Sequence, residues 1–205
     1  MKNICGCSGR RTERKQTEKG EMTSEQRGET AMNGRTIRIV TTGIFAAMIT
    51  VMTAYICHIP YGANGGYIHF GDTLIYLAAV FLPRPYAFAA AAIGGGMADL
   101  LTAPMWMPAT VIIKLLIVLP FTEKNSRLLS PRNIAAPIIA GAVSAAGYYA
   151  AEGILFGSFA APVASLAGSL IQSGGSAVLF YIAAIILERS HVNIQIRRMM
   201  GFEKA

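Results

Sequence analysis

A chain of 205 residues that is 53% hydrophobic and only 14% charged, with a mean hydropathy of +0.46, carries more apolar surface than a soluble domain of its size can bury. That composition identifies a membrane protein. A net charge of +7 and a pI near 9.5 would suit a nucleic-acid partner only if the basic residues clustered on a polar surface. They lie instead at the margins of apolar runs, so nucleic acid is excluded and membrane topology explains the charge.

Residues 1–35 are rich in Lys, Arg, Glu, Thr and Gly with no apolar period, so they read as a disordered basic cytoplasmic tail. No apolar core followed by a small-residue cleavage site is present there, which argues against a signal peptide; Met22 and Met32 are alternative starts to Met1. Cys5, Cys7 and Cys57 are too few and too scattered for a disulfide framework or a zinc site.

Apolar stretches at 36–57, 68–82, 85–103, 106–121, 134–157 and 160–188 predict an all-α bundle of six transmembrane helices over 36–190, followed by a cytoplasmic tail at 191–205. In the first, Thr42, Ala46, Thr50 and Ala54 recur every four residues, with Gly43 and Ala47 beside them. Such a face lets another helix approach closely, either within the bundle or from a partner. The second stretch is too short to cross the membrane alone, so the preceding segment GGYIHFGD, residues 65–72, must dip inwards. Asp72 then either caps that helix or faces a ligand.

Ionisable groups within spans are costly and each marks a candidate site. Asp72, Asp99 near the end of the third stretch, Lys114 in the fourth, Glu152 near the end of the fifth and Gln172 in the sixth all fall in one half of the bundle. His69 joins them from the loop. Together they predict a solute pocket, with Lys114 meeting substrate or neutralised by Asp99 or Glu152. His58, His69 and Asp72 lack metal-ligand spacing, so no metal or cofactor is expected. Trp106, Tyr61 and Tyr67 suit either stacking on a flat ligand or an interfacial belt.

The Lys and Arg residues set the orientation. Nine precede or open the first span and end at Arg38; Arg84, then Lys124, Arg127 and Arg132, then Arg189, Arg197, Arg198 and Lys204 occupy alternate connections. The connections 58–71, 102–108 and 157–162 contain none, which places both termini in the cytoplasm of a multi-pass cell-membrane protein.

The ordered series GGYIHFGDTLIYLAAVFL, GGGMADLL and PATVIIKLL resembles the substrate-binding S component of energy-coupling-factor (ECF) vitamin transporters, in the group named for riboflavin. The resemblance covers about residues 36–190. It implies a non-enzymatic binding subunit for a vitamin or precursor of riboflavin, pyridoxine or hydroxymethylpyrimidine type, driven by two ATPase subunits through a transmembrane T component. It further implies that Gly65, Gly66 and Gly71 serve a lid loop together with His69 and Asp72, that Asp99, Thr110 and Lys114 occupy motif positions, and that Thr42, Ala46, Thr50 and Ala54 dock the T component. The chain has no G-x-x-x-x-G-K-[ST] loop with which to bind nucleotide itself. A membrane-embedded enzyme and an autonomous secondary carrier are the competing readings.

Overall fold

The computed structural model describes residues 34–56, 59–60, 67–125, 127–159, 162–190 and 192–200. The N-terminal segment 1–33 with Cys5 and Cys7, and likewise Cys57, His58, Tyr61, Gly65, Gly66 and His191, lie outside them.

Helix α1 spans Gly34–Ile56, its last turn Met52–Ile56 widening to π geometry. Strands β1 (Ile59–Pro60) and β2 (Tyr67–Ile68) follow as an antiparallel pair, Ile59 opposite Ile68 and Pro60 opposite Tyr67. Then come α2 (Asp72–Phe81), α3 (Arg84–Thr102), a 3-10 turn Pro104–Trp106 leading into α4 (Met107–Val118), α5 (Pro131–Phe156), α6 (Pro162–Arg189) and α7 (Val192–Met199).

The fold is that of an all-α membrane protein. Helices α1, α5 and α6 are each long and apolar enough to cross a membrane, whereas α2 and the Pro104–Val118 stretch are apolar but shorter. Proline and glycine set several boundaries: Pro131 opens α5 behind Ser130, whose hydroxyl accepts from the Asn133 N–H at 3.4 Å, and Gly157 closes it with φ at 66°.

The centre of the bundle is α2. Nine of its ten residues are buried, because α3, α4, α6 and α7 pack around it. Tyr76 stacks on Phe121 at 4.9 Å and meets Phe180 edge-on at 5.9 Å, filling the core beneath the polar end. Pairs α3–α4, α4–α5 and α5–α6 complete the wall.

Two features differ from the sequence expectation. Residues 192–199 are a helix, not a tail: Arg38 donates to the Met200 carbonyl at 2.6 and 3.0 Å, and Arg197 donates to the Glu123 carbonyl at 2.8 Å. Leu129 N–H donates to Glu188 at 3.0 Å, so the start of α1, the α4–α5 connection, the end of α6 and α7 share one end of the bundle. That end carries the basic residues Arg35, Arg38, Lys124, Arg127, Arg132, Arg189, Arg197 and Arg198.

The second difference concerns α1. Thr42, Ala46 and Ala54 are buried, and the Thr50 hydroxyl donates to Gly94 O of α3 at 3.1 Å. A Cβ at Gly94 would lie 2.7 Å from Ile49 Cβ and 2.9 Å from Ala46 O, so the bare backbone of α3 is what lets this seam close. Packing against α3 therefore takes up the Ala46 and Thr50 part of the small-residue stripe. The face of α1 left open carries Val40, Gly43, Ile44, Ala47 and Met48.

Candidate functional site

At the end of the bundle opposite the basic residues lies a cavity of about 650 Å³, counting its open mouth. The hairpin contributes Tyr67, Ile68 and His69; α3 contributes Asp99; the 3-10 turn and α4 contribute Trp106 and Thr110. Tyr148 and Glu152 come from α5, and Ser165, Gly168, Ser169 and Gln172 from α6.

Each residue of the segment YIHFGD is fastened. Tyr67 donates its hydroxyl to Asp99 Oδ1, and burial together with the neighbouring carboxylate pushes the phenol well above its usual range, so it stays a donor. The His69 N–H donates to Gln172 Oε1 at 3.2 Å, while His69 Nδ1 accepts from the Gly71 N–H at 3.1 Å. Phe70 lies so close to Gly175 of α6 that any Cβ there would overlap its ring. Thr73 donates to the Ser176 carbonyl at 3.1 Å.

Gly71 has an ordinary right-handed conformation, φ −60° and ψ −25°. It is glycine for space: a Cβ would collide with Thr53 Oγ1 of α1. In this conformation the close approach of Thr53, rather than the backbone angles, is what requires glycine here.

Of the six candidate ligand residues, His69, Asp99, Glu152 and Gln172 line the cavity. Asp72 and Lys114 are sealed in its floor, 0% and 1% exposed, with Lys114 Nζ donating to Asp72 Oδ1 at 2.5 Å. Lys114 thus takes neither Asp99 nor Glu152 as its ion-pair partner. Its ammonium also sits 5.4 Å from the centre of the Tyr148 ring, and Gly95 leaves room for its stem, since a Cβ there would be 2.9 Å from Lys114 Cγ. Gln172 Nε2 reaches towards Asp72 Oδ2 at 3.5 Å, so one amide touches the cavity, the hairpin backbone and the buried pair.

On the cavity wall Trp106 Nε1, a buried donor, has no hydrogen bond among the described residues, and Asp99 Oδ2, a buried acceptor, has none but the weak approach of the Thr110 side chain. Buried groups of this kind are costly to leave unpaired, so they fit a bound ligand. No cluster of three or more His, Cys, Asp or Glu residues is placed to hold a metal ion among the described residues.

Residues 33–189 match the family described as the ECF-type riboflavin transporter S component. The chain belongs to that family. This S component is therefore a membrane transport protein, a substrate-binding subunit whose family is defined by vitamin uptake rather than by catalysis. It is also similar to an uncharacterized protein from the gap 3′ region of Pyrococcus woesei, 27% identical over 124 residues, 60% of this chain and 82% of that one.

The cavity of the S component includes residues that the sequence reading passed over: Tyr148, Ser165, Gly168 and Ser169. A helical-register signal was available. Tyr148 is one turn before Glu152 on α5, while Ser165, Gly168, Ser169 and Gln172 repeat at three and four residues along α6.

Proposed function

We propose that this chain is the high-affinity substrate-binding subunit of an ECF-type importer and that the cavity between hairpin and helices holds a vitamin or vitamin precursor built on a flat heteroaromatic ring. The observation that carries this reading is the buried indole Nε1 of Trp106, which has no hydrogen bond among the described residues, facing a cavity that also holds the Asp99 carboxylate and is flanked by Tyr67 and Tyr148. The family name favours riboflavin, and the pyridoxine and hydroxymethylpyrimidine types suit the same walls.

In this reading the chain crosses the bacterial cytoplasmic membrane six times with both termini inside, supported by the basic residues gathered at one end of the bundle. Transport is driven by a T component and two ATPase subunits, in keeping with the absence of a phosphate-binding loop from the sequence. Docking uses the open face of α1 around Gly43 and Ala47, since Ala46 and Thr50 are occupied by α3.

Trp106 is the chain's single tryptophan and stands in the cavity wall, so its fluorescence reports occupancy. Titrating detergent-purified protein with riboflavin, pyridoxine or hydroxymethylpyrimidine is expected to give saturable quenching with at least one of them. Absence of saturable binding to all three, with no vitamin found in the copurifying small molecules by mass spectrometry, overturns the proposal.

A further inference from the structure

The basic end of the bundle carries two kinds of cation. Arg38, Arg132 and Arg197 fasten the chain: their guanidinium groups donate to the carbonyls of Met200, of Pro120 and Leu119, and of Glu123, at distances between 2.6 and 3.3 Å. The other five do not. Arg35, Lys124, Arg127, Arg189 and Arg198 are exposed, and their side chains make no ion pair or hydrogen bond among the described residues. The carboxylates described at this end, Glu123 and Glu188, are half-buried, and Glu188 is held by the Leu129 N–H.

Three of the five exposed cations share a pattern. Arg35 is followed four residues later by Ile39, while Arg189 and Arg198 are preceded at the same spacing by Ile185 and Ile194. These isoleucines are exposed, by 56%, 42% and 36%. Residues four apart share a helix face, so α1, α6 and α7 each set an exposed apolar side chain one turn from an exposed arginine. On α1 and α6 the isoleucine is the deeper of the two, the order that acyl chains and headgroups demand. A face turned only to water gains nothing from it.

Helix α7 joins the three sites into one strip. It begins three residues after Arg189, and the Met200 carbonyl at its far end receives Arg38, so its eight residues, about 12 Å, run from the end of α6 to the start of α1. Asn193, Arg197 and Met200 face the bundle, whereas Ile194 and Arg198 face away.

We propose that this strip is a binding site for anionic phospholipid, with Arg35, Arg189 and Arg198 meeting the headgroup phosphate and Ile39, Ile185 and Ile194 meeting the upper acyl chains. Three exposed cations favour a headgroup of net negative charge over a zwitterionic one, and salt screens that preference. The choice of lipid is separate from the vitamin cavity, which lies at the other end of the bundle.

Competition against a fluorescent phosphatidylglycerol on the detergent-purified full chain compares unlabelled phosphatidylglycerol with phosphatidylcholine of the same acyl chains. Phosphatidylglycerol is expected to bind at least about tenfold more tightly at low salt, with a smaller gap at high salt. Arg35→Gln, Arg189→Gln and Arg198→Gln combined in one chain are expected to bring the two lipids within about threefold while vitamin binding is unchanged. If that triple variant does not fold, Arg198→Gln alone carries the test and is expected to narrow the gap. Lipids within about threefold of each other in the wild type, or a gap untouched in the folded variant, overturns the proposal. An equal loss from Lys124→Gln with Arg127→Gln shows diffuse attraction and overturns the strip as a site. Inorganic phosphate that displaces the probe as well as phosphatidylglycerol does overturns the lipid assignment.

Discussion

The ammonium of Lys114 lies 2.5 Å from Asp72 Oδ1, with both side chains closed off from solvent. The pair joins α4 to the first turn of α2, immediately beneath the hairpin that walls the cavity. Its charges cancel where a lone charge would be expensive, and the floor of the cavity is thereby neutral.

Breaking the pair from one side strands the other charge. Lys114→Met and Asp72→Asn are each expected to destabilise the protein by about 3–5 kcal/mol, with the double variant recovering most of the loss. Thermal unfolding in detergent, followed through Trp106, measures this. Additive losses in the double variant would show that the two groups do not act as a pair.

Gly71→Ala is expected to weaken vitamin binding, because the new methyl meets Thr53 Oγ1 and displaces the hairpin. Thr53→Ala in the same chain removes that oxygen and restores much of the affinity. Were Gly71 needed for backbone freedom, the second substitution would rescue nothing. Affinities of the two single variants and the double variant decide between packing and hinge.

The two faces of α1 are expected to respond differently. Gly94→Val on α3 drives a side chain into Ile49 and Ala46, lowering thermal stability and vitamin binding together. Gly43→Leu points into open space and leaves the isolated protein's vitamin affinity unchanged, yet it abolishes copurification with the T component and ATPases. Normal assembly of Gly43→Leu would remove the proposed docking face.

Removing the chain after Ser190 is expected to lower the melting temperature, since Arg38 loses its carbonyl partner at Met200 and Asn193, Arg197 and Met200 leave a buried interface. An unstructured tail could be cut without that effect. Differential scanning of full-length and truncated protein in the same detergent provides the comparison.

Hydropathy made the helical stretches legible: the expected 85–103 and 134–157 correspond to Arg84–Thr102 and Pro131–Phe156. Scarcity of charge in those stretches pointed to Asp99, Glu152 and Gln172, which the fold brings to one cavity. The sequence left other matters open for physical reasons. A two-residue strand pair such as Ile59–Pro60 with Tyr67–Ile68 has no period to detect. The eight-residue α7 is too short and too basic to register as an apolar stretch, although Asn193, Arg197 and Met200 alternate on a buried side. Whether Thr42, Ala46, Thr50 and Ala54 face a neighbour or a partner depends on which helix arrives, and the close approach of Gly94 to Ala46 and Ile49 is visible only in three dimensions. The partner of Lys114 was equally invisible, for three carboxylates lay at compatible depths.

Helix α2 has ten residues and rises about 15 Å, roughly half the thickness of a bilayer's hydrocarbon layer. On the importer reading proposed above, residues 67–71 and the hollow beside them would take up the missing half. A molecule resting in that hollow would then have exchanged bulk water for the low-dielectric slab before any nucleotide is split, and the coupled motion would have only the second half of the crossing to accomplish.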